Sequence, residues 1–196
     1  MLQEIQNKFN LKTDKNNPHT YFDTYDRLFA PFLGKDINVL EIGVLKGESL
    51  KLWSHYFSDD SEIFGIDIFE RPGCSFEEVS ENVKDYSNIS MALINSFEGD
   101  ESARNEYFEH LKLTNTKFHI IVDDGNHNVH GQAPTFRNFQ PFLADGGIYI
   151  IEDIKIQSLG EFKKELPEFE IHDLSKHPDL NRSLIDNILA VYENRI

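Results

Sequence analysis

The chain has 196 residues, 39% hydrophobic and 27% charged, which suits one globular domain with a single core. A formal net charge of −15 argues against nucleic acid or an anionic membrane surface as partner, because both require a basic face. The lone Cys74 excludes an internal disulfide, and no apolar run approaches the roughly 18 residues of a membrane span. The first twenty residues lack the apolar core of a signal peptide, so a cytoplasmic location without membrane insertion is expected.

In chain order, residues 13–33 read as a loop followed by a helix, and residues 1–35 are expected to cap a site carried by residues 36–196. Five Ile- and Val-rich runs then predict buried parallel strands at 37–43, 62–69, 89–94, 118–124 and 147–154. Helical spacing groups Leu50, Trp53 and Phe57 in the segment 47–57, and Phe136, Phe139 and Leu143 in 132–143. Two further strands, 169–176 and 187–195, are expected as antiparallel neighbours at one edge, joined by a short connection over 177–186. The alternation predicts an α/β fold, a mostly parallel central sheet with an antiparallel C-terminal edge. Ligands of such sheets bind outside the carboxyl ends of the strands.

At the first of these ends, "VLEIGVLKGES" places Glu41, Gly43 and Gly47 in a strand-to-helix turn. The G-x-x-x-G spacing fits neither the dinucleotide fingerprint nor a nucleotide-phosphate loop, which disfavours a nicotinamide oxidoreductase. Asp67 closes the next strand, where a carboxylate can accept from two ribose hydroxyls. In this order the residues point to an adenosine-containing ligand. The turn Glu41-Ile42-Gly43-Val44-Leu45-Lys46-Gly47 resembles the first motif of the class I S-adenosylmethionine-dependent methyltransferases, whose fold is Rossmann-like, although Leu45 stands where many members carry a further glycine. The resemblance implies that this turn holds the amino acid portion of S-adenosyl-L-methionine and Asp67 its ribose. Asn95 and Ser96, ending the third strand, fall where adenine is contacted in that fold, and Asp123 is placed on the cofactor side.

Asp123 and Asp124 end the fourth strand, and Glu152 and Asp153 end the fifth. Neighbouring parallel strands lie about 4.8 Å apart, so the two acidic pairs can converge. Asp124, Glu152 and Asp153 could then offer oxygen ligands to a hard divalent cation such as Mg²⁺. His127, three residues after Asp124, could take the proton of a substrate hydroxyl held on that cation. The block "VDDGNHNVHGQAPTFRNFQPFLADGGIYIIEDI" is similar to the metal-dependent sugar O-methyltransferases of macrolide biosynthesis, of the mycinamicin and macrocin type. By that resemblance Asp124, Glu152 and Asp153 bind Mg²⁺, His127 is the general base, and "TDKNNPHTYFDTYDRLFAPF" lies near cofactor and substrate. The implied acceptor is a small sugar-bearing molecule such as a nucleotide sugar, a glycan precursor or a glycosylated natural product, and a homo-oligomer is compatible with the family. Methylation of a catechol or other vicinal diol, and a non-catalytic cofactor-binding protein, remain open alternatives.

Overall fold

Strict alternation of apolar side chains along the central strands forces both faces of the sheet to be covered. Ile120, Val122, Ile148 and Ile150 point into one core, while Ile121, Tyr149 and Ile151 point into the other. In the computed structural model, which describes residues 1–99, 101–178 and 186–195, these residues lie in a seven-stranded sheet ordered β3-β2-β1-β4-β5-β7-β6. The parallel strands are β1 (Asn38–Ile42), β2 (Glu62–Asp67), β3 (Ile89–Leu93), β4 (Phe118–Asp123) and β5 (Leu143–Ile151). At the edge, β7 (Ile188–Glu193) runs antiparallel to both β5 and β6 (Glu170–Asp173). The two C-terminal strands are therefore antiparallel neighbours, as expected. Residues 179–185 of the expected connection lie outside the described residues.

One face is covered by α1 (Leu2–Phe9), α2 (Phe22–Phe29), α3 (Glu48–Tyr56) and α4 (Phe76–Val83), the other by α5 (Glu101–Leu113), α6 (Val129–Phe139) and α7 (Leu159–Glu165). Leu50, Trp53 and Phe57 are all buried, as their spacing requires. Each such side chain contributes about 1.5–3 kcal/mol by leaving water. Several boundaries differ from the expected ones, β5 (Leu143–Ile151, expected at 147–154) and the helix before it most clearly. Helix α6 starts at Val129, where the Asn128 side chain accepts from Gly131 N–H at 3.1 Å, and stops at Phe139. Pro141 has no N–H for a further turn, so residues 140–142 form a 3₁₀ turn and Leu143 begins β5 rather than ending the helix. The sequence before the loop also folds as α1, held at its start by Asp26, which accepts from the Met1 ammonium at 2.9 Å. Among the described residues no helix is long and apolar enough to cross a membrane.

The sheet order reverses at β1, which lies between β2 and β4. Connections diverge there, and the carboxyl ends open a crevice.

Candidate active site

A cavity of about 830 Å³ occupies that crevice, within the size range of small-ligand sites. Its walls come from the turn after β1 (Gly43, Val44, Leu45), the end of β2 (Asp67, Ile68), the end of β3 (Asn95, Ser96) and the turn after β4 (Asp124 to His127). Backbone hydrogen bonds shape the turn after β1. Gly43 N–H donates to Ile66 O at 2.9 Å, and Asp124 N–H donates to Ile42 O at 2.8 Å. Gly43 has φ +88°, and a Cβ there would overlap the Asp124 carbonyl. Glycine is thus required at 43 because two turns of the chain abut there.

Asp67 lines the cavity and also organises the turn. Its Oδ2 accepts from Val44 N–H at 2.7 Å and Leu45 N–H at 3.1 Å, and its Oδ1 accepts from Phe69 N–H at 3.0 Å. A carboxylate has about four acceptor positions, so capacity remains for a ligand hydroxyl. Asn95 and Ser96 also line the cavity; the loop behind them is braced by buried Arg104, which donates to the carbonyls of Asn95 and Glu98 at 3.2 and 3.1 Å. Gly47 is not among the lining residues, and at φ +76° it packs against Val79 and Val83 of α4.

Two carboxylates expected on the cofactor side likewise do not face the cavity. The Glu41 carboxylate is fully buried beneath the turn and accepts from Trp53 Nε1–H at 3.1 Å. Asp123 is buried below Asp124, accepting from Tyr149 O–H at 3.2 Å and Gly125 N–H at 3.3 Å. Burial pushes the Asp123 carboxyl up to about 7. Alternation explains the difference: the side chain of one member of an adjacent acidic pair turns inward as the other turns to the cleft.

The acidic pairs do converge. Asp124, His127 and Asp153 each offer a ligand atom within 4.8 Å of the others. His127 Nε2 lies 3.2 Å from Asp124 Oδ1, and its Nδ1 lies 3.4 Å from Asp153 Oδ2. Asp153 adopts φ +57°, a backbone conformation that Asp tolerates better than most residues, and this turn aims it at His127. The Asp124 hydrogen bond, working against burial and helped by the charge of Asp153, pushes the His127 imidazole up to about 9.

Glu152, expected as a further oxygen ligand, is not in that close group and is tied to Asp124 through Lys15. Its Oε1 accepts from Lys15 Nζ at 2.8 Å and from the Tyr25 hydroxyl in a short hydrogen bond. Lys15 also reaches Asp124 Oδ2 at 2.8 Å and Glu41 Oε1 at 3.2 Å. Burial opposes the ammonium charge, but Asp124, Glu152 and Glu41 together hold Lys15 well above the ordinary lysine value. Burial likewise opposes Asp124, yet Lys15 and then His127 hold its carboxyl down to about 2. Asp153 accepts from Tyr21 O–H at 2.6 Å, with His19 Nδ1 at 3.6 Å.

Sequence reasoning missed Lys15, Tyr25 and the exact partner of Tyr21. The signal was the polar, aromatic stretch "TDKNNPHTYFDTY", whose residues carry no periodicity that would aim them at a strand end. His130, the second residue of α6, is exposed, with Glu161 at 3.7 Å.

The donor set suits a hard divalent cation. Four clustered carboxylates (Glu41, Asp124, Glu152 and Asp153) face two cationic groups, Lys15 and His127. Burial pushes Glu41 and Asp153 up, so this cluster gains from further positive charge. Ligands on an octahedral ion of Mg²⁺ size are separated by about 3–4 Å, and the Asp124 and Asp153 oxygens, within 4.8 Å of each other, need only a small contraction to match.

Residues 40–154 match the family model of a methyltransferase domain. Among curated proteins the chain is 28% identical over 204 residues to mycinamicin VI 2''-O-methyltransferase of Micromonospora griseorubida, covering 90% of this chain and 47% of that protein. It is 29% identical over 143 residues to demethylmacrocin O-methyltransferase of Streptomyces fradiae, covering 69% of this chain and 32% of that one. The chain thus spans less than half the length of these curated relatives. Among solved structures, the methyltransferase MycE of the mycinamycin biosynthetic pathway, in complex with Mg, S-adenosylhomocysteine and mycinamycin VI, superposes with a TM-score of 0.65 at 22% identity. That match covers 99% of this chain and 54% of MycE, and it shows the shared Rossmann-like fold.

Proposed function

The chain belongs to the methyltransferase domain family, and from that premise we propose that it is an S-adenosylmethionine- and Mg²⁺-dependent O-methyltransferase acting on a sugar hydroxyl. The observation that carries the reading is continuity: Asp124 and His127 belong both to the wall of the cofactor-sized cavity and to the acidic group. A methyl donor and a metal-held hydroxyl would meet at that wall. The relatives named as sugar O-methyltransferases support the acceptor class.

When bound, the cofactor supplies a methyl group already activated on a sulfonium, and the metal lowers the pKa of the acceptor hydroxyl. The chain supplies the rest. Asp67 would receive ribose hydroxyls, Asn95 and Ser96 would contact adenine, and the Glu41–Gly43–Gly47 turn would support the amino acid end, Glu41 from beneath it. Asp124 and Asp153 would hold the cation. Lys15 and Tyr25 both use Oε1 of Glu152, so Oε2 would be the oxygen by which Glu152 could join them. Once the charges of Asp124 and Asp153 are committed to a cation, His127 loses the partners that hold it at about 9 and can act as base. His127 would take the hydroxyl proton, leaving the acceptor oxygen as nucleophile for the methyl group that the cofactor would supply. Residues 1–35 cap this site, contributing Lys15, His19, Tyr21 and Tyr25.

The test begins with calorimetric titration of the purified chain with S-adenosylmethionine, and with NAD⁺ as comparator, in Mg²⁺ and then in EDTA. Binding of S-adenosylmethionine alone, followed by EDTA-sensitive methyl transfer in a screen of nucleotide sugars and glycosylated acceptors, is the expected result. No binding of S-adenosylmethionine in either buffer would overturn the reading.

A further inference from the structure

Lys15 takes no part in the proton and methyl transfers, yet it is a fully buried cation at the site. Its side chain is 1% exposed, and Nζ lies 2.8 Å from Asp124 Oδ2, 2.8 Å from Glu152 Oε1 and 3.2 Å from Glu41 Oε1. The ammonium donates to Asp124 and Glu152 and stands beside Glu41 Oε1, a buried oxygen that accepts no hydrogen bond, so Glu41 meets it as an ion pair. Those carboxylates come from the ends of three strands, β1, β4 and β5, whereas Lys15 comes from the loop between α1 and α2. The contacts also divide Asp124: Oδ2 faces Lys15, and Oδ1 is left towards His127 Nε2 at 3.2 Å. Buried carboxylates without a counter-charge are costly, and no other lysine or arginine pairs with these three among the described residues.

We propose that Lys15 is the built-in counter-charge of the acidic cluster, a positioning residue that clamps Glu41, Asp124 and Glu152 together and leaves Asp124 Oδ1 turned towards His127. Its fixed charge keeps the cluster assembled when divalent cations are scarce and limits the positive charge the cluster still attracts to one ion. The inference deepens the reading of the acidic group as a divalent-cation site, and rests on it. A lysine that merely pinned the N-terminal segment would stabilise the protein equally with and without metal.

The experiment uses the full chain with Lys15→Met and Lys15→Arg variants, Mn²⁺ as the probe, electron paramagnetic resonance to count free Mn²⁺, and thermal unfolding in Mn²⁺ or EDTA. The wild-type chain is expected to bind one Mn²⁺ and to lose little thermal stability in EDTA. Lys15→Met should bind Mn²⁺ about tenfold tighter, because a like charge has gone, and should melt far lower in EDTA than in Mn²⁺. Lys15→Arg should keep the wild-type resistance to EDTA. Equal destabilisation of Lys15→Met in both buffers, wild-type stability of Lys15→Met in EDTA, or weaker Mn²⁺ binding by that variant would each overturn the proposal. Should Lys15→Met fail to fold, loss of EDTA resistance in Lys15→Arg overturns it and retention supports it. Absence of Mn²⁺ binding by the wild-type chain would defeat the cation-site reading separately; the EDTA melting of the two variants would still judge Lys15.

Discussion

The cavity at the ends of β1, β2 and β3 is shaped chiefly by backbone, whereas the acidic group at the ends of β4 and β5 is held by side chains from a segment more than a hundred residues away. In the first region Gly43 allows two turns to abut, and Asp67 gathers three N–H groups from residues 44, 45 and 69, all within 23 positions of itself. In the second, Lys15 meets Asp124 and Glu152 across 109 and 137 positions, and Tyr21 meets Asp153 across 132. A backbone-shaped cavity needs a glycine and one carboxylate at the strand ends, even where its turns meet across the chain, as Ile42 and Asp124 do. A buried cluster of like charges needs more, because its compensation must come from elsewhere in the chain.

This contrast predicts that substitutions at the two ends separate cofactor affinity from turnover. The largest effect is expected for His127→Ala, which should lower kcat about 10²–10⁴-fold while the dissociation constant for S-adenosylmethionine stays within about threefold. Steady-state kinetics with calorimetry measure both, and a normal kcat would remove His127 as base. Gly43→Ala should destabilise the fold by about 2–4 kcal/mol, since a Cβ at φ +88° would overlap the Asp124 carbonyl. Urea unfolding would report it, and a loss below about 0.5 kcal/mol would mean that the two turns can part cheaply. Tyr21→Phe removes the 2.6 Å hydrogen bond to Asp153 and should weaken Mn²⁺ binding about tenfold without changing cofactor affinity. Asp67→Asn should do the converse, raising the cofactor dissociation constant about tenfold with Mn²⁺ affinity unchanged. If either of these last two variants moved both constants, the two regions would be energetically one.

The smallest effect concerns pH. His127 is raised to about 9 in the folded protein, first by its hydrogen bond to Asp124. A histidine with a raised folded value contributes stability that is fully present below its unfolded value near 6.5 and is lost as pH rises through about 9. Unfolding followed in EDTA from pH 6 to pH 10 should show this decline, and His127→Gln should flatten it. Addition of Mg²⁺ should move the imidazole titration, read by NMR, to lower pH.

Much of the framework was legible in the sequence for physical reasons that particular residues illustrate. Ile120, Ile121 and Val122 could only be satisfied between two layers of helix, which marked β4 as a central strand. The adjacency of Asp123–Asp124 and Glu152–Asp153 to strand ends placed four carboxylates at one edge of the sheet before any contact was known. Side-chain direction was less legible. Asp123 and Glu41 carry the right chemistry at the right strand ends, yet they point beneath the cavity, because alternation and the Gly43 turn decide which carboxylate faces outward.

The sequence by itself therefore determined the layered α/β plan, the strand ends where chemistry is concentrated, and the pairing of an acidic cluster with His127. Only the tertiary structure decided which oxygens converge within 4.8 Å, and that Lys15, Tyr21 and Tyr25 complete the cluster. Periodicity and turn chemistry are local properties of a chain and can be read along it. The counter-charge of a buried carboxylate is chosen by proximity in space, and no local pattern around Lys15 records which strand ends it will meet.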